Sequence, residues 1–195
     1  MELLERLFGS TAKVKLLRLF LFNAEQVFSV STIKERSKLK PEQLRRELLN
    51  LQKMGLIRKK AIKKSSGDNA VWALNENFPY LEPLRGLLVT ISPVTHEDVI
   101  RKLQKAGKVK AVILSGIFIH RSDSRADILV IGDQIKKGIL TGVMKNLESD
   151  MGRELRYAAL ETEDFKYRRN VGDRLIRDIL DYPHEIVLDK MGVKS

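Results

Sequence analysis

The 195-residue chain is 43% hydrophobic and 31% charged, a balance that excludes a disordered or fibrous protein and supplies apolar residues for one large or two small cores. It contains no cysteine, which excludes disulfides and thiolate metal sites and fits a reducing, cytoplasmic setting. The net charge of +11 is unevenly placed: residues 1–75 carry 16 Lys+Arg against 7 Asp+Glu, a net +9, whereas residues 76–195 carry 20 against 18, a net +2. A basic first part beside a nearly neutral second part points to a localised polyanion site. The opening MELLERLFGS is charged from its second residue and is not expected to act as a signal peptide. No apolar run approaches the roughly 20 residues of a membrane helix, so no membrane partner is expected.

In the stretch STAKVKLLRLFLFN, residues 10–23, Val14, Leu17, Phe20 and Leu21 recur at helical spacing, with Ser10 or Thr11 as N-cap. AEQVFS reads as a connecting turn, and residues 30–39 as a short second helix with Ile33 buried. A third helix starts at Pro41 and ends at Gly55. Pro41 suits a first turn, Glu42 complements the helix dipole, and Lys53 with Gly55 closes the C-terminal end. Lys40 is a poor N-cap, so tertiary packing must fix that boundary. Leu44, Leu48 and Leu51 form one apolar stripe at i, i+4, i+7. The other face carries Gln43, Arg45, Arg46, Asn50 and Lys53, which are donors for phosphates and base edges. Beyond Gly55, residues 56–63 and 70–74 are two β-prone runs, and Gly67, Asp68 and Asn69 between them tolerate positive φ.

Three helices followed by a basic hairpin describe a winged helix. The segments LFGSTAKVKLLRLFLFN and LRRELLNLQKMGLI resemble the winged helix-turn-helix regulators of bacteria and archaea, over about residues 8–75. The resemblance implies that Gln43, Arg45, Arg46 and Asn50 face the major groove of double-stranded DNA. It also implies that Lys59, Lys60, Lys63 and Lys64 lie in or near the wing, on phosphate or in the minor groove. A plainer reading stays open: Arg45 and Arg46 are solvated or paired with Glu42 and Glu47, and the wing lysines only protect an exposed hairpin from aggregation. Some winged helices also contact protein rather than DNA.

NENFPYLEP, residues 75–83, holds two of the five prolines, which places a boundary near Asn77: a first domain over residues 1–76 and a second over 77–195. Residues 80–90 read as a helix carrying Leu81, Leu84, Leu87 and Leu88. Thr95 caps a helix that Gly107 terminates. Strands are expected at residues 108–114, 127–131, 155–160 and 185–188. The intervening helices are expected at 133–151 capped by Asp133, at 162–170 capped by Thr162, and at 171–180. Strands alternating with helices predict an α/β second domain.

The order strand, Ser115-Gly116, loop, ADILVIGD, helix, strand, helix resembles the minimal nucleotidyltransferase fold. GRELRYAALETEDFKYRR, residues 152–169, is similar to the segment that follows when that fold is fused to a winged helix. The expected fold class is therefore a two-domain α/β chain, a winged helix-turn-helix followed by a small nucleotidyltransferase-like domain. Active members carry a Gly-Ser pair and two aspartates at i and i+2 of a strand, which share a face and hold divalent ions together. Here the pair is inverted to Ser115-Gly116, and Arg125 stands two residues before Asp127, where a cation repels Mg²⁺. Asp123 lies further upstream in the loop, and Glu154 is a candidate third-strand carboxylate; neither restores the pair.

His96, His120 and His184 lack metal-ligand spacing, and no motif asks for a cofactor or a metal. The reading that results is a cytoplasmic, non-enzymatic, sequence-specific DNA-binding transcriptional regulator. It would act as a homodimer on a palindromic site, with the degenerate domain used for dimerisation or for sensing a small-molecule or protein effector. Two alternatives remain: a divergent metal-dependent nucleotidyltransferase using Asp123, Asp127 and Glu154, and a protein-binding winged-helix adaptor.

Overall fold

The computed structural model describes residues 3–61, 70–121 and 123–193. The expected hairpin turn at Gly67, Asp68 and Asn69, together with Lys63 and Lys64, lies outside the described residues. Among them the chain is mixed α/β, with nine α-helices and two sheets, and its packing divides it into two compact units.

The first unit comprises Met1–Pro93 and Glu148–Arg153. Its elements are α1 (Leu3–Phe8), α2 (Thr11–Leu21), β1 (Val27–Phe28), α3 (Val30–Ser37), α4 (Pro41–Lys53), β2 (Ile57–Ala61), β3 (Ala70–Leu74) and α5 (Leu81–Thr90). Side-chain caps start two of the helices: Ser10 Oγ accepts from the Lys13 amide at 3.2 Å, and Ser29 Oγ from the Thr32 amide at 3.1 Å. At the head of α4, Lys40 makes no side-chain cap. Packing holds that end instead, because Leu44, Leu48 and Leu51 sink into the cluster that contains Val14, Leu17, Phe20 and Ile33.

The expected connecting turn contains a strand. β1 pairs antiparallel with β3, Val27 opposite Ala73 and Phe28 opposite Trp72, giving the sheet order β1-β3-β2. Phe28 is buried and meets the edge of Phe20 at a centroid distance of 5.7 Å. These two β-prone residues pair with a strand that lies far along the chain, which local turn chemistry does not reveal.

The first unit ends after Pro93 rather than near Asn77. Leu88 is buried in the first core, and Leu81, Leu84, Leu87 and Ile91 pack against it, so the proline-bearing polar stretch is a link within one unit. Residues 148–153 are seated there by specific contacts. Ser149 Oγ donates to the Ser37 carbonyl at 2.7 Å, Lys15 Nζ lies 3.0 Å from Asp150 Oδ1, and Asn23 Nδ2 donates to the Gly152 carbonyl at 2.8 Å. Gly152 has φ +72°, and a Cβ there would stand 2.6 Å from the Arg18 backbone, so the chain crosses α2 only with glycine at this point. The buried Arg18 guanidinium donates to the carbonyls of Ile91 (3.1 Å) and Asp150 (3.4 Å).

The second unit comprises Val94–Leu147 and Glu154–Ser195. It contains α6 (His96–Leu103), β4 (Lys108–Leu114), β5 (Ile128–Asp133), α7 (Lys137–Met151, with its last residues in the first unit), β6 (Tyr157–Leu160), α8 (Thr162–Asn170), α9 (Arg174–Leu180) and β7 (Glu185–Asp189). The sheet order is β6-β5-β4-β7; β4 is antiparallel to both neighbours, and β5 and β6 are parallel. On one sheet face Ala111, Ile113, Leu129 and Ile131 cluster with Phe165, Ile176 and Ile179. The alternate residues Val112, Leu114, Ile128 and Val130 are fully buried as well, so both faces are covered and the strands read as continuous apolar runs.

Thr95 caps α6 as expected, accepting from the Asp98 amide at 3.1 Å. Two other expected caps are elsewhere engaged. Asp133 ends β5, Gln134 follows with φ 56°, and α7 begins only at Lys137. The Asp133 carboxylate instead takes Lys110 Nζ at 2.7 Å and the Thr162 amide at 3.3 Å. Thr162 is therefore the first helical residue of α8, and Glu161 is its N-cap. α9 starts at Arg174 because Asp173 accepts from the amides of Leu175 and Ile176 at 2.9 and 3.2 Å. Among the described residues no helix is long and apolar enough to cross a membrane.

Candidate nucleic-acid interface

With 13 residues, α4 is about 20 Å long. Its buried side is Leu44, Glu47, Leu48 and Leu51. Helical steps of about 100° then divide the remaining residues between two flanks and an outward side. Gln43 and Asn50 fall at i, i+7 on the flank beside Glu47, Arg45 falls on the opposite flank next to Leu49, and Arg46 and Lys53, also seven apart, lie between them on the outward side. The polar residues thus spread over the whole side of the helix away from its leucine stripe, and its two flanks have different neighbours.

Glu47 makes the first flank an internal network. Its carboxylate, 2% exposed, accepts from Ser10 Oγ at 3.1 Å, Arg46 Nη2 at 3.4 Å and Asn50 Nδ2 at 3.3 Å. A buried carboxylate needs such donors to offset its desolvation. Asn50 is thereby half-buried and committed within the fold, and Arg46 is partly committed, in line with the plainer reading that pairs Arg46 with Glu47.

The second flank opens onto a cleft of about 520 Å³ between α3, α4 and the β2–β3 sheet. Lys34, Arg45 and Lys59 line it, with Val30, Leu49 and Trp72. Strand pairing explains how Lys59 arrives: it stands opposite Trp72, and directly paired residues share a sheet face. Lys59 Nζ sits 5.1 Å from the Trp72 ring centroid, a cation–π contact that holds the ammonium at the cleft. Lys60, opposite Val71, belongs to the other face of the sheet. Lys53 and Gln43 are exposed on α4. Arg45 makes no ion pair among the described residues, so it is not tied to Glu42.

Sequence reasoning missed Lys34 and the apolar members of the cleft. Val30 and Lys34 are four apart on α3, a spacing that puts both on one helix face. The Lys59–Trp72 pairing depends on a hairpin register that the sequence between the strands leaves open.

The second sheet positions Ser115, Gly116 and Asp127 of the loop that the sequence led us to compare with a transferase site. Asp127 is 1% exposed. Its Oδ1 accepts from the Ile117 amide (3.1 Å) and Arg156 Nη2 (3.4 Å), and its Oδ2 from the Arg156 amide (2.8 Å) and Arg156 Nε (3.4 Å). These four donors occupy the roughly four acceptor sites of a carboxylate. Gly116, with φ +57°, is required beside it, since a Cβ would fall 2.0 Å from Asp127 Oδ1. Ser115 Oγ is buried and donates to the Ala126 carbonyl at 2.5 Å. Arg125 is ion-paired with Asp178, Asp123 is exposed, and Glu154 is exposed three residues before β6 begins. These residues do not fit a divalent ion. Among the described residues no group of three or more His, Asp or Glu is arranged to hold one.

The histidines are placed at the surface or at turns. His96 Nε2 lies 3.3 Å from Glu185 Oε2, His120 ends a short 3₁₀ turn with φ 57°, and His184 Nδ1 is 2.8 Å from the Tyr182 carbonyl. The chain matches no protein-family model, no curated protein and no solved structure.

Proposed function

We propose that the chain is a nucleic-acid-binding protein that presents a basic helix and hairpin to a groove. More particularly, it is a cytoplasmic transcriptional regulator that binds double-stranded DNA in sequence-specific fashion through a winged-helix first unit. The observation that carries this reading is the convergence of Lys34, Arg45 and Lys59 on one cleft beside α4, in the part of the chain that holds +9 of the +11 charge. The length of α4, about 20 Å, suits a major groove about 12 Å wide. Arg45, Lys53 and Lys59 are the side chains for phosphate and base edges, while Asn50 and Arg46 bond to the buried Glu47 within the fold.

The transferase-like unit acts without catalysis. The four donors around Asp127 count against the enzymatic alternative, because a metal would have to displace donors from an oxygen they already occupy, and Arg125 would repel it. That unit serves instead to bring two copies together or to receive a small-molecule or protein effector. Pairing follows from energetics, since one helix of this length reads one half-site and two copies read a palindrome.

A gel-shift comparison tests the reading. Arg45→Ala/Lys59→Ala is expected to weaken duplex binding at least tenfold, while Lys105→Ala/Lys108→Ala in the second unit leaves it unchanged. Equal loss in both double variants contradicts a localised interface.

A further inference from the structure

The cleft beside α4 has an apolar centre as well as a cationic rim. Leu49 is 42% exposed at the ninth position of the 13-residue helix, and Val30 is 49% exposed at the start of α3. Both line the same cleft, above the nearly buried Trp72. Single exposed apolar residues on a surface are ordinary. Two that share a cleft rimmed by Lys34, Arg45 and Lys59 are matched to a ligand that is anionic at its edge and apolar at its centre. Duplex DNA has that pattern in the major groove. Its phosphates form the edge, and the one apolar group among the base edges is the C5-methyl of thymine.

We propose that Leu49, backed by Val30, reads a thymine methyl group in the major groove, so that the preferred site carries thymine under the middle of α4. This rests on the DNA-binding reading above. The flanks of α4 divide the work. Arg45 and Lys53, four residues to either side of Leu49, take phosphates or guanine edges, and Leu49 supplies a contact that only a methylated pyrimidine satisfies. The same contact discriminates against duplex RNA, which carries uracil and presents a deep, narrow major groove closed to side chains.

The test uses the full chain and a duplex selected by it from a random library, followed by fluorescence anisotropy. Each thymine is replaced in turn by deoxyuridine, which pairs identically and lacks only the methyl. Wild type should bind about fourfold more weakly when one or two particular thymines are replaced, the size expected for one buried methyl group. Leu49→Ala should bind the thymine duplex as weakly as wild type binds the deoxyuridine one, and should show no difference between the two. Met54→Ala, which removes another exposed apolar side chain at the end of the same helix, should keep the wild-type difference. If no deoxyuridine position affects wild type, or if Leu49→Ala still discriminates, the inference is overturned while DNA binding stands. If the chain selects no duplex even at low salt, the DNA-binding reading itself falls and takes this inference with it.

Discussion

A Cβ at position 116 would stand 2.0 Å from Asp127 Oδ1, at a backbone conformation of φ +57° that disfavours side chains. Gly116→Ala should therefore lower stability by about 1–3 kcal/mol, read by urea denaturation, without changing the affinity of the folded protein for DNA. The inverted Ser115-Gly116 pair and Arg125 are legible in the sequence as departures from the pattern that the resemblance implies. The hydrogen bonds that engage Asp127 are not. Arg156 supplies three of the four donors to Asp127 from 29 residues away, across a parallel strand pair that only the fold creates. Asp133 gives a second residue-level expectation. Hydrogen bonds from Lys110 and then Thr162 hold its carboxyl down to about 2, below the ordinary 3.8. A depressed folded-state pKa means that its stabilisation is complete above about pH 4 and is lost as pH falls through 2. Asp133→Asn should thus melt lower than wild type at neutral pH, and the gap between their melting temperatures should close as pH is lowered from 4 towards 2.

At the scale of elements, the residues of α4 tied into the fold differ from those proposed to bind DNA. Asn50 donates to a buried Glu47 on one flank, while Arg45 lines the cleft on the other. Asn50→Ala removes one of the donors to Glu47 and should cost about 0.5–1.5 kcal/mol of stability, with DNA affinity nearly unchanged. Arg45→Ala should do the reverse, leaving stability within about 0.5 kcal/mol and weakening binding; melting curves and anisotropy on the same two variants separate the effects. The start and end of α4 and its leucine stripe are legible in the sequence because Pro41, Gly55 and a 3.6-residue period are local signals. The commitment of Asn50 to the fold is not, since it depends on Glu47 sinking beside Ser10 rather than staying in water. β1 is hidden for the same reason: two residues in a polar turn become a strand only when β3 is placed beside them.

For the whole molecule, charge is more informative than pattern. The segregation of +9 into residues 1–75 is plain from the order of the amino acids, and the fold collects part of that charge on one cleft. The boundary is less visible, because proline and polar residues mark a link equally well inside a unit as between units; the leucines of α5 decide it by joining the first core. We propose that the cleft beside α4 holds DNA phosphates. The measurement that addresses it most directly is the dependence of duplex affinity on salt, from anisotropy titrations of wild type and of Lys34→Ala/Arg45→Ala/Lys59→Ala. Each phosphate contact contributes about 0.9 to the slope of log affinity against log salt. Binding that falls steeply with salt in wild type, with a slope shallower by about 2–3 in the triple variant, is the expected result; no binding at low salt, or the same slope in both proteins, would contradict it.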